Sequence, residues 1–212
     1  MIFINKRNIP SAFFKIKQAY TNYDELHEKE KTDLKKILIE EQGGLCAYCM
    51  SRIELQGATI EHYIPRNGPN GNMSLSLDYR NLFAVCKRTR QKREKEKTCD
   101  DRKGDQLLKI NPSCESDIRQ IKYKMDGTIF SDCQDFNKDL NCTLNLNEPT
   151  LQGNRKEAIS AVIRELSRRK SGEWNIRYIE KYLSKYSTDS QKREYVGAII
   201  FILQKKLNHL KK

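Results

Sequence analysis

The sequence predicts an α+β chain that is mainly helical and carries one small, loop-rich unit in its first half. Three observations lead there. Apolar residues recur at helical spacing over 15–42 (Ile16, Tyr20, Tyr23, Leu26, Leu34, Leu38) and again near 152–170, 173–186 and 190–210. Between Leu45 and about Pro112 that periodicity gives way to cysteines, glycines and prolines. Hydrophobic residues make up 37% of the 212 and charged residues 32%, too few apolar groups for a large core, so the loop-rich stretch calls for a staple other than packing.

Four segments follow. Residues 1–40 form an N-terminal helical segment of one or two helices, stopped by Gln42-Gly43-Gly44. Residues 41–112 hold the loop-rich unit. Residues 113–150 are a hairpin and loop connection, with weak alternation from Ile118 to Phe130 around Asp126-Gly127 and a polar stretch closing at Pro149. Residues 151–212 are a C-terminal helical region. Its run from Ala198 to Leu203 is wider than one helical stripe, which predicts a cover from outside its own helix: the N-terminal helices, or a docked partner.

Forty Lys and Arg against 28 Asp and Glu give a net charge of +12, so the surface attracts polyanions or an acidic partner. No window approaches the ~18 consecutive apolar residues of a transmembrane helix. The start, MIFINKRNIPSAFF, lacks an apolar stretch followed by a small-residue cleavage site, so a cytoplasmic location is expected, with the seven cysteines reduced.

Reduced cysteines at ligand spacing suggest metal. Cys46-Ala-Tyr-Cys49 follows Gly43-Gly44-Leu45, and two thiolates at such a tight turn reach one tetrahedral zinc. Cys86 and Cys99 are candidates for the second pair, with Lys87 to Lys97 hanging from the site as a loop. Cys114, Cys133 and Cys142 read as buried thiols, although Cys114 is near enough in sequence to replace Cys86 or Cys99.

Between the pairs runs Thr59-Ile60-Glu61-His62-Tyr63-Ile64-Pro65-Arg66, a short β-type run broken by proline. Neighbours on a strand face opposite sides, so Glu61 and His62 serve one site only where the strand bends, which Pro65 and Gly68-Pro69-Asn70-Gly71 allow. Arg80-Asn81-Leu82, Cys86 and then Cys99-Asp100-Asp101-Arg102-Lys103 follow. His27 and His209 sit in helical stretches without ligand-spaced neighbours and read as ordinary residues.

In that order, CxxC, acid-His-x-x-Pro, Asn-Leu before a cysteine, and cysteine before an acid and a basic helix resemble the HNH nuclease pattern over about residues 41–112. The resemblance implies a zinc-stapled ββα-metal unit around one divalent ion. Over nearly the full length, Glu41 to Cys49, the stretched second cysteine pair, and Leu144-Asn145-Leu146-Asn147 are similar to the HNH endonucleases of retron and Septu anti-phage systems, the PtuB-like proteins. That likeness implies an ABC-type ATPase partner (PtuA-like), and in a retron setting a reverse transcriptase with its RNA and DNA. It implies His62 as general base, Asn81 as the asparagine that orients it, Glu61 as first metal ligand and Asp100, or its neighbour Asp101, as the last.

The chemistry of the residues agrees. Phosphodiester hydrolysis needs a base for water and positive charge for the developing phosphorane. A histidine titrates near cellular pH, and carboxylates suit Mg²⁺ or Mn²⁺. The segment from Lys87 to Lys103 is dense in Lys and Arg; it reads either as a solvated charged helix with Arg90/Glu94 and Lys92/Glu96 pairs, or as a loop in which Lys87, Arg88, Arg90, Arg102 and Lys103 grip phosphates. The function expected is a metal-dependent endonuclease acting on DNA or RNA, tRNA included. The alternatives are a non-catalytic zinc-stabilised nucleic-acid adaptor, and a homing enzyme of a transposon or intron.

Overall fold

The computed structural model describes residues 1–168 and 175–211. Helices α1 (Ser11–Ala19) and α2 (Glu28–Glu41) form the N-terminal segment and are joined through a 3-10 turn at Tyr23–Glu25. Helix α1 buries Phe13 and Ile16 and α2 buries Leu34 and Leu38, whereas Tyr20, Tyr23 and Leu26, which the spacing put on a helix, lie in the connection between the two. Gly43 and Gly44 end α2 in left-handed conformations (φ 65° and 75°), and the Gly44 N–H closes on the Ile39 carbonyl at 2.8 Å.

Strands β1 (Ala58–His62) and β2 (Leu82–Cys86) pair antiparallel, with Ala58 opposite Cys86 and His62 opposite Leu82. Strand β2 is buried throughout, which is why Leu82-Phe83-Ala84-Val85 is an unbroken apolar run rather than an alternating one. The single-turn helix α3 (Asp100–Lys103) completes a ββα unit. Buried Gln42 locks α2 to it, donating to the carbonyls of Leu45 (2.8 Å) and Ala84 (2.7 Å) and accepting the Ala84 N–H (2.8 Å).

The connection differs from expectation. Glu115–Ile118 forms helix α4, so the hairpin shrinks to β3 (Lys122–Tyr123) and β4 (Ile129–Phe130), followed by helix α5 (Gln134–Lys138) and a π-type turn at Asp139–Thr143. Gly127, at φ 85°, turns the hairpin tightly against the next helix, α6 (Pro149–Arg168); an added Cβ would lie 2.1 Å from the Gln152 carbonyl. Buried Arg155 of α6 ties the region together, donating to Gly127 O, Leu146 O and Asn147 Oδ1 at 2.6, 2.7 and 3.1 Å.

Helix α7 (Ile176–Thr188) follows; the expected helix ends at 169–170 and 173–174 lie outside the described residues. Helix α8 spans Val196–Leu210 and begins later than its apolar spacing suggests. Residues before it are used instead to brace the CxxC turn: Lys192 N–H reaches Gly43 O (3.0 Å), Tyr195 N–H reaches Met50 O (3.0 Å), and Glu194 accepts the Arg52 N–H (2.8 Å).

One core cluster runs through the chain, from Phe13 and Leu34 through Tyr48, Phe83 and Ile110 to Val162, Ile199 and Leu203. This corrects two expectations. The loop-rich unit is packed as well as stapled, because it shares the core of the helices on both sides. The Ala198–Leu203 run is covered chiefly by its own chain: α6, α7 and β3 pack on α8, and Gly197 lies against Met1 and Met50. No described helix is long and apolar enough to cross a membrane.

Candidate active site and metal centre

Four cysteines converge. The Sγ atoms of Cys46, Cys49, Cys86 and Cys99 all lie within 4.8 Å of one another and all four residues are buried. Cys46 and Cys99 sulfurs are 3.9 Å apart and those of Cys49 and Cys86 3.7 Å, close to the ~3.8 Å edge of a tetrahedron with Zn–S bonds of ~2.3 Å. The donor set therefore fits zinc. Sulfur contacts, from Cys46 first, hold the Cys49 thiol well below its ordinary range, while the same cluster pushes Cys86 and Cys99 up. Four packed sulfurs ionise together only beside a dication.

Local backbone geometry makes the cluster. The Met50 N–H closes the CxxC turn on Cys46 O at 3.0 Å, with Met50 itself at φ 62°. Cys86 ends β2, and Cys99, at φ 56°, is pinned by its N–H to Leu144 O at 3.0 Å. The Leu144-to-Asn147 stretch is thus a latch: Asn145 also donates to the carbonyls of Lys95 (3.1 Å) and Lys97 (3.0 Å), and Asn147 clamps Ile129. Of the remaining cysteines, Cys114 bonds Ser116 (3.1 Å) away from the cluster, and none is buried. Cys114 and Cys133 are half-buried and Cys142 exposed, a correction that follows from their places at surface turns.

Beside this staple, Glu61 and α3 meet. Lys103 Nζ lies 2.7 Å from Glu61 Oε1, both side chains buried, and Tyr48 donates its hydroxyl to the same oxygen at 2.9 Å. Burial first, then the neighbouring Asp100 carboxylate, pushes the Glu61 carboxyl up to about 8, with Lys103 opposing. Two adjacent carboxylates, one of them desolvated, share a proton or a cation, and one or two carboxylates are what a hydrated Mg²⁺ takes from a protein.

The two adjacent acids of α3 separate by role. Asp100 faces Glu61, its side chain 23% exposed. Asp101, at 2%, turns the other way and accepts from the Thr89 N–H (3.1 Å), the Thr89 hydroxyl (2.9 Å) and Arg90 (3.3 Å). It closes the neck of the basic loop.

His62 points to the opposite face of β1 from Glu61, as alternation requires. Its Nε2 lies 3.0 Å from the Ser76 carbonyl, an acceptor that fixes a proton on Nε2 and leaves Nδ1 as the basic nitrogen. Burial, opposed by that carbonyl, holds the imidazole down at about 4, which corrects the expectation that it titrates near cellular pH. The chain bends just after it. Asn81 makes the bend: Oδ1 accepts the Ile64 N–H (2.7 Å), and Nδ2 donates to Ile64 O (3.0 Å) and Leu75 O (3.1 Å). Asn81 thus acts on His62 through the backbone that carries it.

The basic segment is not a helix. From Lys87 to Cys99 its only regular structure is a 3-10 turn at Glu94–Glu96, before α3 begins at Asp100, and the i,i+4 pairs expected of a helix are replaced by Arg93–Glu96, Lys97–Glu94 and Arg102–Glu94. Lys87, Arg88 and Arg90 are exposed on it; Arg88 donates to Arg52 O at 2.9 Å, and Arg90 leans on Asp101 and Asp100. Arg102 is tied to Glu94 O (3.0 Å) and Cys142 O (3.3 Å), and Lys103 is inside the site rather than on the surface. The loop borders a cleft of about 600 Å³ that reaches the start of α6.

Sequence reasoning passed over Tyr48, Ser76 and Tyr23. The Tyr23 ring meets His62 edge-on, centroids 4.8 Å apart. Tyr48 sits inside the CxxC and was legible in principle; Ser76 and Tyr23 carry no local signal, because only folding brings them to the site.

A hairpin plus a short helix around a four-cysteine cluster that fits zinc, with an acid and a histidine at the end of one strand and a carboxylate at the start of the helix, is the ββα arrangement that the resemblance to HNH nucleases implies. No family model matches the chain. Over 177 residues it is 28% identical to a protein of Vibrio cholerae serotype O1 biovar El Tor named as a candidate HNH endonuclease of retron Vc95, a match that takes in 77% of this chain and 84% of that protein.

Proposed function

We propose that the chain is a metal-dependent endonuclease of the retron type that hydrolyses phosphodiester bonds in DNA or RNA as the effector of an anti-phage complex with an ABC-type ATPase. The observation that carries the nuclease reading is the meeting of Glu61, Asp100 and Lys103 at the β1 terminus that also carries His62, whose Nε2 faces the Ser76 carbonyl. The likeness to the retron protein supports the setting. The PtuB-like subtype and the ATPase rest on the sequence resemblance.

Glu61 and Asp100 would hold Mg²⁺ or Mn²⁺, which would supply positive charge to the scissile phosphate and to the leaving oxygen. His62 Nδ1 takes the proton of the attacking water as its oxygen bonds phosphorus and the bond to the leaving sugar oxygen breaks. Lys103 opposes the burial and the Asp100 charge that push the Glu61 carboxyl up, and adds a second positive charge. Lys87, Arg88 and Arg90 hold the strand by its phosphates without reading its sequence.

Purified chain, with and without its ATPase partner, is assayed against duplex DNA, single-stranded DNA and total tRNA, with Mg²⁺, Mn²⁺ or EDTA. Cleavage that EDTA stops is the expected result. Binding with no metal-dependent cleavage in any arm overturns it in favour of a nucleic-acid adaptor.

A further inference from the structure

His62 is gripped by a segment that lies outside the ββα unit. The Tyr23 ring stands edge-on to the imidazole, at an interplanar angle of 87°. The Tyr23 N–H also donates to Ser76 Oγ at 3.1 Å, and Ser76 is the residue whose carbonyl faces His62 Nε2. Both contacts on the histidine therefore trace to one turn.

That turn is unusually well tied for an exposed one. Asn22 Oδ1 accepts the N–H groups of Asp24 (3.0 Å) and Glu25 (3.3 Å). In return the Glu25 carboxylate accepts from Thr21 N (2.8 Å), Thr21 Oγ1 (2.7 Å) and Asn22 Nδ2 (2.7 Å), a reciprocal cap. Leu26, 2% exposed, anchors its far end in the core. From the nuclease side Arg66 pairs with Asp24 and places its guanidinium 4.9 Å from the Tyr23 ring centroid. The ring is thus fixed from the N-terminal segment and from the chain just past His62.

We propose that Tyr23 is a positioning residue for His62, and that the turn from Thr21 to Leu26 is a clasp by which the N-terminal segment sets the orientation of the base. The proposal rests on the reading of His62 as that base. A buried imidazole held only through Nε2 can still swing about that hydrogen bond, and the edge of the Tyr23 ring is what limits the swing. An error of about 1 Å in the position of a base costs up to ~10²-fold in rate, so a ring that touches no substrate acts on turnover alone. The contact is made by the ring, and the hydroxyl is dispensable.

The test uses the full chain and compares wild type, Tyr23→Leu and Tyr23→Phe. Steady-state cleavage is followed together with the ¹⁵N spectrum of the histidine side chains, assigned with a His62→Gln control. Tyr23→Leu is expected to lower kcat by about tenfold or more with KM within about twofold, and to give mixed tautomers at His62 where wild type shows Nε2–H alone. Tyr23→Phe restores both readouts. Wild-type kcat and a single tautomer in Tyr23→Leu overturn the clasp, and so does a fall in kcat without any change at His62. Absence of cleavage by wild type refutes the nuclease reading instead, and the spectrum still decides whether Tyr23 sets the ring.

Discussion

The carboxylate of Asp101 accepts both the N–H and the hydroxyl of Thr89, at 3.1 and 2.9 Å, across the neck of the basic loop. Thr89 in turn accepts the Thr98 N–H at 3.0 Å, so two side chains and the Thr98 backbone close a loop whose ends are Cys86 and Cys99. Asp100, its chain neighbour, has its carboxylate beside Glu61. Two acids adjacent in sequence are therefore assigned different work.

Their substitutions should part accordingly. Asp100→Ala is expected to lose metal-dependent cleavage by ~10²-fold or more while its melting temperature stays near wild type, since it removes a half-exposed charge beside a buried one. Asp101→Ala is expected to destabilise by about 1–3 kcal/mol, the cost of three donors left without their acceptor, and to weaken strand binding through a loosened loop. Thermal melts and cleavage assays on both variants check this; a reversed pattern would make Asp101 the metal ligand.

Elemental analysis of purified protein should find one zinc per chain. Cys46→Ser with Cys49→Ser should remove it and lower the melting temperature by about 10 °C or more, because the metal's binding free energy is part of the folding free energy. Serine at Cys114, Cys133 and Cys142 should leave the zinc content unchanged. Zinc retained by the first double variant would mean another ligand set.

His62→Ala should cut turnover by about 10²–10⁴-fold with strand affinity intact, as expected for loss of a general base. Asn81→Ala removes three hydrogen bonds that bend the chain at Ile64, so it should both slow turnover and cost roughly 2–3 kcal/mol of stability. Denaturant unfolding with single-turnover kinetics separates the two; equal stability of Asn81→Ala and wild type would contradict the backbone role.

The C-terminal region cannot be cut away cleanly. Tyr195 places its hydroxyl 2.9 Å from Ser51 Oγ and its N–H on Met50, directly under the CxxC turn. A chain ending near residue 150 should therefore lose the folded zinc unit as well as any docking surface. A milder probe is Gly197→Ala, whose added Cβ would lie 2.4 Å from the Met1 carbonyl and 2.9 Å from Met50 Sδ; about 1–3 kcal/mol of destabilisation is expected from calorimetry. Wild-type stability in that variant would show that α8 can move away from the zinc turn.

Local chemistry wrote much of this protein into its sequence. A CxxC beside two glycines is a local turn signal, helical periodicity places the end of α2, the start of α6 and the end of α7 to within a few residues, and an Asp-Gly pair marks a hairpin. Glu61, His62, Asn81 and Asp100 stand out through their resemblance to the HNH pattern, and an acid and a histidine suit the needs of hydrolysis. What the sequence left open was which partner each side chain finds. Asp100 and Asp101 are equivalent in composition and separate only because α3 rotates one toward Glu61 and the other toward Thr89. Lys103 reads as a surface cation and is buried because Glu61 lies beneath it. Tyr23 and Ser76 carry no motif at all, and they reach His62 only when the N-terminal turn packs across β1. Such contacts join residues far apart in the chain, so their energy depends on the closed tertiary structure and leaves no periodic trace in the sequence.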